Sequence, residues 1–461
     1  MNLYPKPYYF LFTLPIALWG YLNDLPYVII LAEVLFSFVC LYHDYTKGAR
    51  YISFITVYSA FTLTYCYGNA MVVKSIGTPD EAKFNYYLVP EHISEALFFI
   101  YIAHVFCVLG FNYYQNKYKN PTGLFFVMDI PIEKPLVRYL NILVTIANVL
   151  VLLEKLPYAT VFPFSIAFLF FLTRYAVKKD DQWLLNFCLV NTFILSINGF
   201  FFDYLRMSTI APGIAFLIAV FFGKEKVSAL FKKTLFPVYG LLFVAVTIFP
   251  FIGQIRNSAS GYEKIFSVVD KFNESGEEFM TPDLYAEEDE SFEARVSIIN
   301  QTSQIVKLVK EDGYYKGSSL AYLTYAFIPR FLWKDKPIIA QGVWFALAIG
   351  QAYVHADGRA NNSVNMTSAG ELYLNFGLAG VAIGMFMIGY LCAYMWQVSG
   401  FSESSENVLG AMFGLYLFYL ATSTFGIDLQ FLVTLLSYFC MFQLVNYLYL
   451  YFLKPKKKVH A

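Results

Sequence analysis

The sequence predicts an all-α polytopic integral membrane protein with about twelve transmembrane helices and one large extracytoplasmic loop that contains short interfacial helices. Of its 461 residues, 58% are hydrophobic and only 14% are charged, whereas soluble domains average about 25% charged residues. Apolar runs at 235–252, 381–396 and 431–452 approach the roughly 20 residues that cross a bilayer as a helix. The sequence lacks the alternating pattern of a membrane β-barrel.

Twelve apolar segments are predicted to be helical, because a span in lipid must satisfy its own backbone hydrogen bonds. The first is expected to be a span and not a cleaved signal peptide, because no small-residue cleavage site follows it. All six cysteines lie in apolar segments, so neither a disulfide framework nor a Cys-x-x-Cys metal site is predicted. The predicted helices cover about 7–22, 26–42, 51–67, 95–114, 137–153, 157–175, 183–202, 205–223, 234–254, 372–396, 408–424 and 428–452.

Basic residues in the short connections predict the orientation of the chain. If the N-terminus is cytoplasmic, eighteen Lys and Arg residues fall on the cytoplasmic side and four fall in the opposite short loops. Cytoplasmic loops are enriched in positive charge, so both termini are expected in the cytoplasm. The net charge is zero and the cations are scattered, which argues against a nucleic-acid partner.

This topology divides the chain into three parts. Residues 1–254 are predicted to form an N-terminal transmembrane bundle of about nine helices, 255–371 an external loop, and 372–461 about three C-terminal transmembrane helices. Within the loop, the apolar segment 318–333 is too short for a normal span and is expected to be a helix at the membrane interface. A second short helix is expected near 341–353.

Several cations are expected outside the cytoplasm. Guanidinium and ammonium groups donate charge-assisted hydrogen bonds to phosphate oxygens, and guanidinium groups do so in pairs. The set therefore predicts a site for a lipid-linked diphosphate. Snorkelling of each cation to lipid headgroups is the alternative. The candidates are Arg206, Arg256, Arg330, Lys336 and Arg359.

The candidates for a general base are Glu371, His355 and Asp357, and the first two are assigned to the site. Glu371 lies where the loop re-enters the membrane, so its carboxylate is either a base in a partly desolvated place or a helix N-terminal carboxylate stabilised by the helix dipole. His355 is the histidine of the large loop and is either a base or a polar surface residue. The aromatic rings of Trp333 and Tyr373 are candidates for stacking against sugar rings. No Gly-rich phosphate loop or zinc motif is present in the sequence, so neither a metal nor another cofactor is expected.

The segments Pro-Arg-Phe-Leu-Trp-Lys-Asp-Lys-Pro at 329–337 and Gly-Glu-Leu-Tyr-Leu-Asn-Phe-Gly-Leu-Ala-Gly at 370–380 resemble the loop-to-helix region of Wzy-type O-antigen and capsule repeat-unit polymerases. Ser363 and Thr367 between them fit the same resemblance. The resemblance covers about 60 residues, and the remainder matches in hydropathy alone. It implies a GT-C-like architecture in the bacterial inner membrane, with the large loop in the periplasm.

The resemblance also implies a chemistry. A glycan on undecaprenyl diphosphate would be transferred en bloc to another lipid-linked repeat unit, with release of undecaprenyl diphosphate. The implied partners are undecaprenyl-diphosphate-linked glycans, membrane lipids, and a chain-length regulator and flippase. An O-antigen ligase, or a flippase or transporter of lipid-linked oligosaccharides, is the alternative function.

Replacement of Arg330 by alanine is expected to abolish surface polymer while the protein remains in the membrane, because the substitution removes a donor to the leaving diphosphate. The measurement is a gel of surface glycan, paired with an immunoblot of the membrane fraction. Polymer of normal length in this variant would remove Arg330 from the site.

Overall fold

Every regular element that the structure describes is a helix, and no strand occurs among the described residues. The computed structural model forms two compact units: Met1–Phe126 with Asp289–Val398 and Tyr416–Ala461, and Val127–Glu288 with Ser399–Leu415. The structure describes residues 10–46, 54–78, 87–118, 134–202, 211–216, 219–220, 297–328, 333, 335–337, 340–354, 363–398, 415–417, 420–421 and 429–452.

The first unit contains nine helices among the described residues. Two 3₁₀ turns, Pro90–His92 and Ser318–Tyr322, lead directly into the fourth and sixth of them. Helices α1 to α4 precede the second unit in the chain. The bounds are α1 Phe10–Leu22, α2 Pro26–Thr46, α3 Phe54–Ser75, α4 Ile93–Lys117, α8 Ile299–Asp312, α9 Leu323–Ala326, α10 Gln341–Ala348, α11 Thr367–Val398 and α12 Leu429–Phe452.

The second unit contains α5 (Lys134–Leu152), α6 (Tyr158–Lys178) and α7 (Gln182–Phe202). A polar seam joins α5 to α7. The amide of Asn191 donates to Asn141 Oδ1 at 2.8 Å, and the amide of Asn198 donates to the Asn148 carbonyl at 2.9 Å. These four side chains are fully or almost fully buried. Their spacing of seven residues on each helix places them on one face, so the seam sets the register of the two helices.

The most extensive helix–helix contact among the described elements joins α4 to α11. A Cβ atom added at Gly110 would overlap the carbonyl oxygen of Phe386, and one added at Gly389 would overlap the carbonyl oxygen of Cys107. The two backbones therefore touch, as they do where small residues line helix contacts in membranes. Aromatic rings fill the space on either side, as where Tyr114 meets Tyr390 edge-to-face at 5.0 Å.

Three helices in the described residues are long and apolar enough to cross a membrane: Pro90–Lys117, Pro135–Leu152 and Thr367–Gln397. Two shorter apolar helices, Phe10–Leu22 and Pro26–Tyr42, accompany them. A span requires about 20 predominantly apolar residues, and these helices have that composition. The apolar helices indicate a membrane protein.

Nine of the twelve predicted helices are present in the described residues. The predicted helix at 234–254 lies outside those residues, and those at 205–223 and 408–424 lie largely outside them. Some predicted bounds differ from the structure. The helix predicted from 372 begins at Thr367, and the helix predicted to end at 67 continues to Ser75. Of the interfacial helix predicted over 318–333, the described residues up to 328 contain a 3₁₀ turn followed by the four residues of α9.

Replacement of Gly389 by alanine is expected to lower the free energy of unfolding by about 1–3 kcal/mol, the usual range for overpacking. The new methyl group would meet backbone atoms of Cys107, which cannot rotate away. The measurement is the apparent melting temperature of the detergent-solubilised protein. Met387→Ala is the control, because Met387 lies on the same helix with 65% of its side chain exposed; an equal loss in both variants would contradict the close contact.

Candidate functional site

The start of α11 is built by two local caps. The side-chain oxygen of Asn365 accepts the backbone N–H of Thr367 at 2.8 Å, and the Thr367 hydroxyl oxygen accepts the N–H of Gly370 at 3.0 Å. These caps satisfy N–H groups that the first turn of a helix leaves without intrahelical partners. Glu371 therefore lies beyond the first turn of α11, so the interpretation of Glu371 as a first-turn carboxylate does not fit this helix.

Glu371 is buried, with 4% of its surface exposed. The phenolic hydroxyl of Tyr322 donates a hydrogen bond of 2.9 Å to its Oε2 atom. Tyr322 ends the 3₁₀ turn that begins at Ser318. The hydrogen bond therefore joins the 3₁₀ turn to α11, through a residue that was predicted as the end of the loop and lies in the helix.

Asn375 lies one turn after Glu371 on the same face of α11 and is also buried. Its amide nitrogen donates to the Ser319 hydroxyl at 2.7 Å and to the Glu371 carbonyl at 2.8 Å. Its oxygen accepts the N–H of Gly317 at 2.8 Å. Asn375 thus uses both ends of its amide to hold the 3₁₀ turn against α11.

A break in α11 supplies further acceptors. Gly377 has φ +65° and ψ −157°, a conformation that interrupts the helix and that glycine adopts far more readily than other residues. The carbonyls of Leu374 and Asn375 accept the N–H groups of Tyr315 and Lys316 at 3.1 and 3.2 Å. The loop before the 3₁₀ turn is therefore bonded to the backbone of α11 as well as to its side chains.

Helix α10 closes the same region from another side. The Gln341 amide donates to the Ser319 carbonyl at 2.9 Å, and the Trp344 ring meets Tyr315 edge-to-face at 5.6 Å. We refer to the five residues Glu371, Asn375, Tyr322, Ser319 and Gln341 as the Glu371 cluster. It joins α11, the 3₁₀ turn and α10.

Tyr373 lies in a second polar group on α11. Its ring stacks on Phe99 at 4.6 Å, its hydroxyl donates to the carboxylate of Glu95, and only 2% of its surface is exposed. Lys310 of α8 forms an ion pair with Glu95 at 2.8 Å. In this arrangement Tyr373 connects α11 to α4, and Lys310 connects α8 to α4.

Lys336 and Trp333 lie beside α9. The Lys336 ammonium donates to the carbonyls of Ala326 and Ile328 at 2.8 and 2.9 Å, which stabilises the C-terminal end of the short helix. Trp333 is 39% exposed and meets Tyr325 edge-to-face at 6.2 Å. The predicted cation and the predicted aromatic residue are thus found at the same end of α9.

The other predicted site residues lie outside the residues that the structure describes, and their roles stay predictions. They are Arg206, Arg256, Arg330, His355 and Arg359. Glu371 and Tyr373 lie two residues apart in α11, in different polar groups: the first bonds to the 3₁₀ turn and the second to α4.

Tyr315, which lies beside the Glu371 cluster, has a phenol with a raised pKa. Burial, together with its hydrogen bond to the Asp312 carboxylate, raises the pKa of Tyr315, so this phenol stays neutral at physiological pH.

Within the described residues, no group of three or more His, Cys, Asp or Glu side chains is placed to hold a metal ion.

The sequence interpretation missed the partners that position Glu371. Asn375 lies within the 370–380 segment, four residues after Glu371 and two before Gly377. A carboxylate and an amide at this spacing lie on one helical face, which is a signal that the sequence contained. Ser319 and Gln341 gave no such signal, because their contacts are made by separate segments.

No protein-family model, curated protein or solved structure matches this chain. Its class therefore rests on its own elements. It is a helical protein with apolar helices of membrane-spanning length, and a buried polar cluster lies in the first half of the broken helix α11.

Replacement of Gly377 by alanine is expected to destabilise the protein by about 1–3 kcal/mol, because the backbone conformation is unfavourable for a residue with a Cβ. The added atom would also lie 2.8 Å from the Tyr314 hydroxyl oxygen. The measurement is again the apparent melting temperature. Gly350→Ala is the matched control, since Gly350 has φ +72° with no atom near its Cβ position; a smaller loss in Gly377→Ala than in this control would contradict the argument.

Proposed function

We propose that this chain is a membrane glycosyltransferase that polymerises undecaprenyl-diphosphate-linked oligosaccharide repeat units into a surface polysaccharide. The product is an O-antigen or a capsule, made at the outer face of the bacterial inner membrane. The observation that carries the proposal is the position of Glu371. This carboxylate lies inside the 370–380 segment that resembles Wzy-type polymerases, is buried, and is held by Tyr322.

The chemistry requires a base and positive charge. The acceptor hydroxyl of one repeat unit attacks the anomeric carbon of another, the bond from that carbon to the diphosphate breaks, and the hydroxyl proton passes to Glu371. His355 is the other candidate for this base. Negative charge grows on the leaving diphosphate, and each well-placed cationic donor is worth roughly 3 kcal/mol in the transition state. Arg206, Arg256, Arg330, Lys336 and Arg359 are assigned to this role, and the exposed ring of Trp333 to the glycan. Tyr373 was the other candidate for the glycan, but its ring is buried against Phe99, so it is assigned to helix packing.

Because Glu371 is buried, a neighbouring segment must move before this carboxylate can act as a base. A general base must come within hydrogen-bond distance of the proton that it accepts. Since Glu371 is 4% exposed and bonded to Tyr322, the segment from Gly317 to Tyr322 must move when the acceptor sugar binds. The Tyr322 hydroxyl then exchanges its place at Oε2 with the acceptor hydroxyl.

The proposed topology has about twelve spans, with both termini cytoplasmic and the segment 255–371 in the periplasm. The candidate cations Arg206, Arg256, Arg330, Lys336 and Arg359 then face the side where lipid-linked repeat units are joined. The proposed partners are these lipid-linked glycans and the surrounding lipids, together with a chain-length regulator and a flippase.

A gel of surface glycan from cells with the gene deleted and restored separates the candidate functions. Loss of the ladder down to a single repeat unit on the core supports polymerisation. Long polymer that is no longer attached to its acceptor would indicate a ligase, and the absence of any repeat unit at the surface would indicate a flippase or transporter.

Replacement of Glu371 by glutamine is expected to reduce polymerisation by about 10²-fold or more, the usual contribution of a general base. The glutamine amide oxygen still accepts the Tyr322 hydrogen bond, so the fold is expected to persist. The measurement is polymer formed from purified lipid-linked repeat units by the reconstituted protein, with the melting temperature recorded alongside.

Tyr322→Phe is the matched variant, because it removes the hydrogen bond that Glu371→Gln retains and leaves the carboxylate in place. It is expected to retain more activity than Glu371→Gln and to lose more stability. If Glu371→Gln is active while Tyr322→Phe is unstable, Glu371 serves to dock the 3₁₀ turn and is not the base.

A further inference from the structure

A separate polar chain lies among α2, α3 and α4 of the first unit. Glu33, Ser59 and His104 are buried, with 5%, 0% and 1% of their surfaces exposed. His104 Nδ1 lies 2.7 Å from Glu33 Oε1, and His104 Nε2 lies 3.0 Å from Ser59 Oγ. One residue from each of three helices thus forms a single hydrogen-bonded chain with the imidazole at its centre.

The surroundings hold the imidazole in place. The rings of Phe36 and Tyr58 pack edge-to-face against it, at 5.0 and 5.1 Å. Within the residues that the structure describes, Glu33 Oε2 is buried without a hydrogen-bond partner. Ionisable residues inside a membrane bundle are costly, and they are typical of proton relays and substrate pathways.

The two hydrogen bonds of His104, to Glu33 and to Ser59, can form in two protonation states. With one proton shared between Glu33 and His104, the pair is neutral overall, and His104 Nε2–H donates to Ser59 Oγ. When the proton on Nε2 leaves, the shared proton stays on Nδ1 and is donated to the Glu33 carboxylate, the pair becomes negatively charged, and the Ser59 hydroxyl turns to donate to Nε2. A hydroxyl can be donor or acceptor, so both bonds survive the loss.

Among the residues that the structure describes, the other titratable groups near the pair are phenols and thiols, which are ordinarily uncharged at neutral pH. Helix α1 contributes Thr13, which bonds to Tyr101 and does not titrate. The charge of the region is therefore set by Glu33 and His104. The neighbouring groups are Cys40 on α2, Tyr58, Tyr65 and Cys66 on α3, Tyr101 and Cys107 on α4, and Cys392 on α11.

We propose that Glu33, His104 and Ser59 form a proton-binding site inside the helix bundle, with Glu33 and His104 sharing the proton and Ser59 positioning the imidazole. Imidazole is the side chain best suited to gain and lose a proton near neutral pH. Proton binding at a point where three helices meet couples their packing to the proton concentration, because the form with the proton and the form without it differ in charge. This inference does not depend on glycosyl transfer.

The test uses the full-length protein in lipid nanodiscs, with ¹⁵N-labelled histidine followed by NMR and protonated carboxyl groups followed by infrared spectroscopy between pH 5 and 10. We expect one titration step, seen at the His104 ring or at a carboxyl band, and its loss in Glu33→Gln. Ser59→Ala, which removes only a hydroxyl group, shifts the His104 signal and thereby assigns it. His92→Gln is the control and leaves the step unchanged.

A His104 ring that keeps one tautomer across this range, with no Glu33-dependent carboxyl band, would overturn the proposal and reduce the chain to a packing contact. If Glu33→Gln does not fold, the wild-type titration with the Ser59→Ala assignment still decides, because the wild-type step is either present or absent at the assigned ring.

Discussion

The close contact of α4 with α11 is the constraint on which the described part of the first unit depends. Gly110 and Gly389 let the two backbones touch, and this proximity holds the N-terminal part of α11 beside α4. The Tyr373 ring reaches Phe99, and its hydroxyl reaches Glu95. Lipid tails are as apolar as the helices, so the hydrophobic effect does not drive helices together in a membrane. Close packing between small residues contributes to their association instead.

The break at Gly377 frees backbone carbonyls of α11 to bond with the neighbouring loop. An uninterrupted helix consumes its carbonyls internally, whereas α11 leaves those of Leu374 and Asn375 to accept N–H groups from the loop at Tyr315 and Lys316. The 3₁₀ turn that follows the loop then places Tyr322 against Glu371. The position of the proposed base therefore follows from a backbone irregularity six residues away, and glycine is the residue that tolerates it.

The sequence predicted the existence of helices that apolar composition determines, and it misplaced the start of α11, which side-chain caps determine. Apolar runs revealed nine helices, since burial of backbone hydrogen bonds leaves helices as the practical choice in an apolar chain. The start of α11 was placed too late because the Asn, Ser and Gly residues before Glu371 are typical of a loop. In the structure Asn365 and Thr367 use their side chains as caps, so these polar residues begin the helix.

The sequence by itself determined that the chain is helical and apolar, that Glu371 lies within a polar border between apolar segments, and that most helices begin and end near the predicted residues. Partnerships across the chain were decided by the tertiary structure. Tyr322 meets Glu371 across 49 residues, and Glu33 meets His104 across 71. Periodicity reports which face of a helix is apolar, but it does not report which helix lies opposite, and the pairing of buried polar groups depends on that neighbour.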